Sequence, residues 1–368
     1  MRTAPLVAAG SVCLVLSAAV TLHASYWSTS RLAIGSPLGF GYYNATGVQH
    51  GTGYLHVAYS DGDKDDVLLQ WWDGTAWQVQ TVDAGRDVAR GIDLAFNTSN
   101  QPAITYAGAS LKFAERSGAT WAIKTIESRD ARNDVTSLEF SDGQPAISYF
   151  VTSTPKKGPA VSTLKLARRN GTTWTTTSIA PGVRYSSLAF DDVGNPAIAF
   201  AGDANGDTFA DSLRLARLTP GGWQVQTIDG VTSGAGAWTR LGFDPVTGRP
   251  WIVDSPSGIG AVRFWYQDEG GLWHAEQIGA GYRPALLVHQ GVPIVSYVTP
   301  DGYGLMVARR EAGVWAGELA AGAGFGYIVQ SSLAVPYGTG GEPAVAYCID
   351  IFGINASRAL WLASPVPY

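Results

Sequence analysis

The 368-residue chain contains only two cysteines and two methionines, and only 15% of its residues are charged. One cysteine, Cys13, lies in an apolar N-terminal segment, and the other is Cys348. Once that segment is removed no internal disulfide can form, so a hydrophobic core has to stabilise the fold. The composition supplies one, with 46% hydrophobic residues including 13 Trp, 16 Tyr and 12 Phe.

Several functional classes are disfavoured by what is missing. The 25 Lys and Arg residues against 30 Asp and Glu leave a net charge of -5, and no basic block stands out, so we expect no nucleic-acid partner. The five histidines are scattered without metal-ligand spacing. The chain has no Gly-x-Ser-x-Gly elbow, no His-Glu-x-x-His helix motif and no phosphate-binding loop, so no familiar catalytic motif is present.

A short apolar strand recurs along almost the whole chain. Six copies begin with proline and alternate between apolar and other residues, and a seventh lacks the proline. The copies are Leu55–Tyr59, Pro102–Tyr106, Pro145–Tyr149, Pro196–Phe200, Pro250–Asp254, Pro293–Tyr297 and Pro343–Tyr347. Alternation with period two, interrupted by Gly, Pro, Asn and Asp, predicts strands joined by tight turns.

Each copy is flanked by further strand-like segments, and the last one in each unit begins with tryptophan. An aliphatic residue follows each tryptophan about five positions later. The pairs are Trp77 with Val82, Trp121 with Ile126, Trp174 with Ile179, Trp223 with Ile228, Trp273 with Ile278 and Trp315 with Leu319. Four short strands in a unit of roughly 40–50 residues is the period of a β-propeller blade.

The seventh unit lacks its tryptophan strand, and the missing piece stands at the other end of the chain. Trp27 and Leu32 have the same five-residue step, so residues 26–34 are predicted to complete the last blade. Sealing the ring with strands from both termini leaves no long free sheet edge. We therefore predict an all-β fold, a single seven-bladed propeller of four-stranded blades over residues 25–368.

Residues 1–24 have the features of a secretory signal peptide: an early charge, an apolar run from Pro5 to about Leu22, and small residues near its end. An uncleaved membrane anchor is the alternative. The first interpretation predicts a secreted, periplasmic or extracellular protein with no membrane span after signal removal. We expect it to be a monomer.

The order of these segments resembles that of secreted bacterial β-propeller repeat proteins, broadly the sialidase-like and Asp-box-like group. The resemblance rests on the Pro-x-Ile-x-Tyr strand, the Leu-Lys-x-Ala strand and the Gly-x-x-Trp turn, as in Gly74–Trp77 and Gly171–Trp174. An Asp-box turn would carry Asp where this chain has Trp72 and Arg169, and there is no Arg-Ile-Pro segment. The resemblance implies the fold and does not imply sialidase activity.

The loops that enter the innermost strands carry arginine and aromatic residues in several blades. Guanidinium groups and aromatic rings around a concave mouth suit a carbohydrate or an anionic group. The alternative is that these side chains stack between blades and only stabilise the mouth. The predicted ligand-binding residues are Arg90, Arg184, Tyr185, Trp238, Arg240, Tyr282, Arg283 and Tyr327.

A loop of the fourth blade has acidic residues at alternate positions. Asp203, Asn205, Asp207 and Asp211 have the spacing of a Ca²⁺ loop. They resemble the Asp-x-Asp-x-Asp-Gly-x-x-Asp calcium loops of integrin-type propellers, except that Thr208 replaces the usual glycine. The alternative is a solvated acidic hairpin held by Asx turns. Ca²⁺ is the one cofactor that the sequence predicts.

Together these patterns predict a secreted, non-catalytic propeller that binds a carbohydrate or a protein partner at its channel mouth. A glycan-active hydrolase or lyase is the alternative, because two carboxylates across a pocket suffice for that chemistry and Asp83, Glu127 and Asp134 are predicted to lie in mouth loops. A structural interaction platform with no small ligand is the third hypothesis. A convergent carboxylate pair in the mouth would favour the enzyme, and arginine with aromatic residues would favour the binding protein.

Overall fold

The computed structural model describes residues 27–35, 41–85, 90–128, 135–158, 160–203, 207, 209–230, 232–256, 260–324, 326–336, 339–351 and 357–365. Within these ranges the chain forms 28 strands, grouped into seven antiparallel four-stranded sheets, with no helix. Accordingly, no helix among the described residues could cross a bilayer. The predicted signal peptide, residues 1–24, lies outside the described residues. The predicted all-β, seven-bladed propeller is confirmed.

The strands follow one another along the chain with short connections. Their bounds are β1 Ser28–Gly35, β2 Asn44–Val48, β3 Leu55–Asp61, β4 Asp66–Trp72, β5 Trp77–Asp83, β6 Arg90–Phe96, β7 Pro102–Ala107, β8 Leu111–Ser117, β9 Thr120–Glu127, β10 Ser137–Ser141, β11 Gln144–Ser153, β12 Val161–Asn170, β13 Thr173–Pro181, β14 Ser186–Phe190, β15 Pro196–Gly202, β16 Ser212–Thr219, β17 Gly222–Asp229, β18 Arg240–Phe243, β19 Pro250–Asp254, β20 Ala261–Gln267, β21 Trp273–Ala280, β22 Tyr282–His289, β23 Val292–Val298, β24 Gly304–Glu311, β25 Val314–Gly322, β26 Gly326–Ala334, β27 Ala344–Ile351 and β28 Ser357–Ser364.

Blades 1 to 6 each use four consecutive strands, from β2–β5 to β22–β25, and blade 7 combines β26, β27 and β28 with β1. The first strand of every blade is the innermost. These seven strands contact one another in a closed ring, in which β26 of blade 7 meets β2 of blade 1. They surround a central channel, and the second strands behind them form the core. Strands β3, β7 and β15 are buried along their full length.

The predicted closing strand is confirmed. β1 pairs with β28 in an antiparallel register that runs from Ser28 opposite Ser364 to Gly35 opposite Arg358. Trp27 and Leu32 pack against the cores that blade 7 shares with its two neighbours. The N-terminal strand therefore covers the outer edge of the last blade, as every fourth strand does elsewhere.

The fourth strand of each of the first six blades carries a β-bulge near its end, and blade 1 shows what it does. The register between β4 and β5 skips Val82, so Val82 and Asp83 both turn toward blade 2. Val82 enters the core that contains Tyr106. The Asp83 carboxylate accepts hydrogen bonds at 2.7 Å from both Tyr106 Oη and Lys112 Nζ. The bulge thus lets two adjacent residues face the next blade.

Blade 6 corrects one detail of the repeat. Leu319 was predicted at the aliphatic position after Trp315, but the residue skipped by the register there is Ala320. Ala320 is 3% exposed, whereas Leu319 is 59% exposed. Leu319 is only four residues after Trp315. Because side chains alternate along a strand, it lies on the same face as Trp315 and points away from the core shared with the next blade.

Candidate functional site

One end of the channel is ringed by residues at or just before the start of the inner strands. In three successive blades a bulky residue here has the left-handed backbone conformation: Arg184 with φ 58°, Trp238 with φ 56° and Arg283 with φ 55°. This conformation is uncommon for residues other than glycine, asparagine and aspartate. In addition, the register of β22 shifts between Tyr282 and Ala285, which places Arg283 in a β-bulge. Such features re-aim side chains and cluster at functional sites.

Arg283 is the centre of this ring of residues. Its guanidinium carbon lies 4.8 Å from the centre of the Trp238 ring and 5.7 Å from each of the Tyr42 and Tyr282 rings. Its Nη1 also donates to the carbonyl oxygen of Val329. These partners belong to blades 5, 6 and 7 and to the segment that enters blade 1. Arg283 therefore links the mouth across four blades, through cation–π contacts to three of them and a hydrogen bond to blade 7.

Aromatic rings extend this cluster in two directions. Tyr185 lies against Trp238, with ring centres 4.8 Å apart. On the other side Tyr303 and Tyr327 lie 5.0 Å apart and are 43% and 40% exposed. Their close approach depends on Gly302, where an added Cβ would be 2.8 Å from the Tyr327 ring and 3.1 Å from the Tyr282 hydroxyl. We call Tyr42, Tyr185, Trp238, Tyr282, Arg283, Tyr303 and Tyr327 the mouth surface.

The predicted ligand-binding residues fall into three groups in the structure. The structure brings Tyr185, Trp238, Tyr282, Arg283 and Tyr327 together in the mouth surface. Arg90 and Arg184 are exposed at the starts of blades 2 and 4.

Arg240 does not belong to the mouth surface but lines the channel. Tyr303 was not predicted, because it lies in the turn between β23 and β24 and not at the start of an inner strand. Only the structure shows that its exposed ring belongs to the mouth surface.

The channel below the mouth encloses about 450 Å³ and holds three charged side chains. They are Asp93 on β6, Glu139 on β10 and Arg240 on β18. Burial raises the pKa of Asp93 to about 6, although the backbone amides of Leu138 and Leu94 stabilise its charged form. Desolvation inside the channel also raises the pKa of Glu139 to about 8, with a further contribution from the Asp93 charge, while the side chain stays exposed to the channel. Burial lowers the pKa of Arg240, while Asp93 and Tyr185 oppose this effect.

Asp93 accepts a hydrogen bond from the next blade, and serine residues accept the equivalent bond in the blades that follow. Its Oδ2 accepts a 2.7 Å hydrogen bond from the amide of Leu138 in blade 3. At the matching positions Ser137 Oγ accepts from the amide of Leu188, and Ser187 Oγ from the amide of Leu241, each at 3.0 Å. Neither channel carboxylate was predicted, because both lie within strands, at positions held by small residues in most other blades.

We expect Glu139→Gln to change the pH dependence of stability. The pKa of Glu139 rises from about 4.5 to about 8 on folding. Between these values the folded protein binds more protons than the unfolded chain, so wild-type stability falls as the pH rises through this window. Glutamine does not ionise, so the variant does not lose this stability. Between pH 5 and pH 8 its free energy of unfolding should rise by about 1–2 kcal/mol relative to that of wild type. This difference is smaller than the full pKa shift would give, because channel water solvates the carboxyl.

Urea unfolding at the two pH values measures this difference. Asp192→Asn, which removes an exposed carboxylate on blade 4, is the control and should leave the pH dependence unchanged. A Glu139→Gln curve parallel to that of wild type would show that the carboxyl ionises normally inside the channel.

The predicted metal loop is described only in part. Asn205 lies outside the described residues. Of the others, Asp203 Oδ1 accepts from the amide of Asp207 at 3.1 Å, and Asp211 Oδ1 accepts from Ser212 Oγ at 2.9 Å. Among the described residues no three His, Cys, Asp or Glu side chains converge as a metal site. Calcium binding by this loop stays a prediction.

Two of the carboxylates considered for catalysis have partners in the neighbouring blade. Asp83 pairs with Lys112 at 2.7 Å, and Glu127 at the equivalent place in blade 2 pairs with Lys165 at 2.8 Å. Both carboxylates end fourth strands and lie between blades. Asp134 falls outside the described residues.

The described residues define a β-propeller whose mouth is lined by aromatic rings around Arg283, with Arg358 also 5.1 Å from the centre of the Tyr42 ring. No protein-family model matches the chain, and no curated protein sequence matches it. Three similar solved structures are an oligogalacturonate lyase in complex with manganese, the SapL1 lectin in complex with alpha methyl fucoside, and a triple arginine-to-alanine mutant of AofleA from Arthrobotrys oligospora.

The likeness to each of them extends over most of both chains. The lyase has a TM-score of 0.52 and 12% identity over 92% of this chain and 98% of its own. The lectin has a TM-score of 0.51 and 13% identity over 78% and 99%. The AofleA mutant has a TM-score of 0.51 and 12% identity over 80% and 90%. At such identities the likeness shows a shared fold, and function has to be argued from the site.

Proposed function

We propose that this protein is a secreted, monomeric, non-catalytic binding propeller whose mouth surface recognises a carbohydrate. The observation that carries the proposal is the continuous set of rings from Tyr185 to Tyr327 around Arg283. Aromatic side chains offer large apolar faces with polar edges, which match a sugar ring with apolar C–H faces and a rim of hydroxyls. The guanidinium of Arg283 is already held between rings, so little side-chain entropy is lost on binding.

Two further observations support binding at this place. Three of the eight described non-glycine residues with positive φ, Arg184, Trp238 and Arg283, lie at the mouth, and such conformations cluster at functional sites. The SapL1 lectin, whose structure contains alpha methyl fucoside, has a similar fold. The export of the protein and its monomeric state are proposed from the sequence pattern. Calcium at Asp203, Asn205, Asp207 and Asp211 is part of the proposal and would order this loop.

The test is a glycan-array screen of the protein without residues 1–24, with Ca²⁺ and then with a chelator. We expect Trp238→Ala to weaken binding of the captured glycan by about tenfold or more, because central aromatic residues dominate such sites. The matched control is Tyr54→Ala, which removes a half-buried ring from the opposite face. Loss of binding in the chelator alone would assign a role to the metal loop.

Three results would contradict the proposal. Silence across the array would favour a protein partner, and binding unchanged by Trp238→Ala would place the site elsewhere. Cleavage of a bound glycan would favour the alternative, a glycan-active hydrolase or lyase. The observation that favours this alternative is the Asp93 and Glu139 pair in the channel, so its product should then disappear in Glu139→Gln.

A further inference from the structure

The face opposite the mouth contains a second concave site. A cleft of about 500 Å³ lies between the inner hairpins of blades 1, 2 and 3. Its walls include the half-buried rings of Phe96 and Phe140, and His50, Asn100 and Asp142 stand around them. His50 also lines the central channel, so the two spaces meet there. We call this space the lower cleft.

The cleft exists because one hairpin is shorter than its neighbours. The turn of blade 3 has only two residues, Asp142 with φ 50° and Gly143 with φ 72°, which is the preferred two-residue hairpin connection. The corresponding turns span residues 97–101 in blade 2 and 191–195 in blade 4. The short turn leaves a recess beside Phe140. Gly143 keeps it open, since an added Cβ would lie 3.2 Å from Thr98.

Asp142 carries the one carboxylate among the described residues that line the lower cleft. Each side-chain amide already uses one of its two N–H groups, because Asn97 Nδ2 donates to Glu115 Oε1 at 2.9 Å and Asn100 Nδ2 donates to the carbonyl oxygen of His50. Among the described residues, Asn100 Oδ1 is buried and accepts no hydrogen bond. The exposed Asp142 carboxylate adds negative charge at the rim. A ligand that reaches Asp142 therefore gains from hydrogen-bond donors and from positive charge.

The charges and aromatic rings of the lower cleft indicate which class of ligand it can bind. No lysine or arginine is among the described residues that line the lower cleft. A carboxylate beside aromatic rings attracts a cation, and an ammonium group carries three donors and no acceptor. A neutral sugar hydroxyl can also donate to Asp142, but it brings no positive charge.

We propose that the lower cleft binds a small organic cation, a primary ammonium group on an aromatic or apolar body. The body lies against Phe96 and Phe140, and the ammonium group faces the exposed Asp142 carboxylate. This site is separate from the mouth surface and does not depend on carbohydrate binding there.

The test uses phenethylamine as the probe and its neutral isostere 2-phenylethanol for comparison, by isothermal titration and ligand-observed NMR near neutral pH. For so small a ligand we expect a dissociation constant on the order of a millimolar for the amine. Asp142→Asn should weaken binding of the amine about tenfold, because it removes the charge and keeps the shape. The alcohol should bind wild type about tenfold more weakly than the amine.

Two control variants make the result specific. Asp192→Asn removes an exposed carboxylate from the next hairpin on the same face and should leave amine binding within about twofold of wild type. Trp238→Ala alters the mouth surface and should also leave it unchanged. Equal binding of the amine and the alcohol, an unchanged affinity in Asp142→Asn, loss of binding in Trp238→Ala, or no binding of the amine up to roughly ten times the expected constant would each overturn the proposal.

Discussion

Arg263→Met is expected to destabilise the protein by about 3–5 kcal/mol, because it leaves a buried carboxylate without its counter-charge. Asp254 is fully buried. Arg263 donates to it through Nε at 2.9 Å and Nη2 at 2.5 Å, and also to Asp229 of blade 4 through Nη1 at 2.7 Å. Burial alone lowers the pKa of Arg263, but its hydrogen bonds to Asp254 and Asp229 outweigh this and raise it.

The same network reaches the mouth surface. Asp254 Oδ2 accepts a 3.0 Å hydrogen bond from the amide of Gly236, two residues before Trp238. Gly236 is packed so closely that an added Cβ would lie 2.7 Å from the carbonyl oxygen of Ser212. Arg263→Met should therefore weaken binding at the mouth as well as stability.

Chemical unfolding measures the first effect, and the variant Lys112→Met is the control. Lys112 occupies the equivalent position of blade 2, and its one carboxylate partner, Asp83, keeps the Tyr106 hydroxyl as a donor. Its loss should cost about 1 kcal/mol. If the two variants were equally stable, the buried position of Asp254 would have no energetic consequence, and the network would not explain the order of the mouth.

Deleting Ser28–Gly35 is expected to lower stability by at least about 3 kcal/mol and to promote self-association. The deletion removes β1, which pairs with β28 from Ser28 to Gly35. It also removes Leu32 and Ala33 from the core between blades 7 and 1. The remaining edge of β28 would present unpaired backbone groups, which are a template for pairing with another chain.

Thermal unfolding and light scattering measure the two effects. A synthetic peptide with the sequence of residues 27–35, added to the truncated protein, is the matched control and should restore part of the lost stability because it fills the same edge. A scrambled peptide should not. An unchanged melting temperature after the deletion would mean that β1 does not close the ring.

Local patterns in the sequence were sufficient to predict the architecture. Period-two alternation, the proline that opens the second strand and the tryptophan that opens the fourth repeat often enough to count seven blades. The five-residue step from Trp27 to Leu32, which the other fourth strands share, identified the N-terminal strand as the missing strand of the last blade. This worked because each strand of a propeller is specified by its own alternation and by contacts that recur in every unit.

Part of the site could also be predicted in this way. Tyr185, Trp238, Tyr282, Arg283 and Tyr327 interrupt the repeat at the starts of inner strands, and closing the ring brings such positions to one mouth. Which of them touch was decided by three-dimensional packing, since Arg283 contacts Tyr42 at the other end of the chain. Tyr303 joined the surface through a different loop.

Sequence alone therefore determined the fold class, the blade count, the closing strand and the face that carries the aromatic mouth. Only the tertiary structure decided that Arg240 points into the channel with Asp93 and Glu139, that Asp83 and Glu127 pair across blades, and that a lower cleft opens beside Asp142. The physical reason is that alternation and turn chemistry act over a few neighbouring residues. Burial, charge pairing and the shape of a recess depend on residues brought together from different blades.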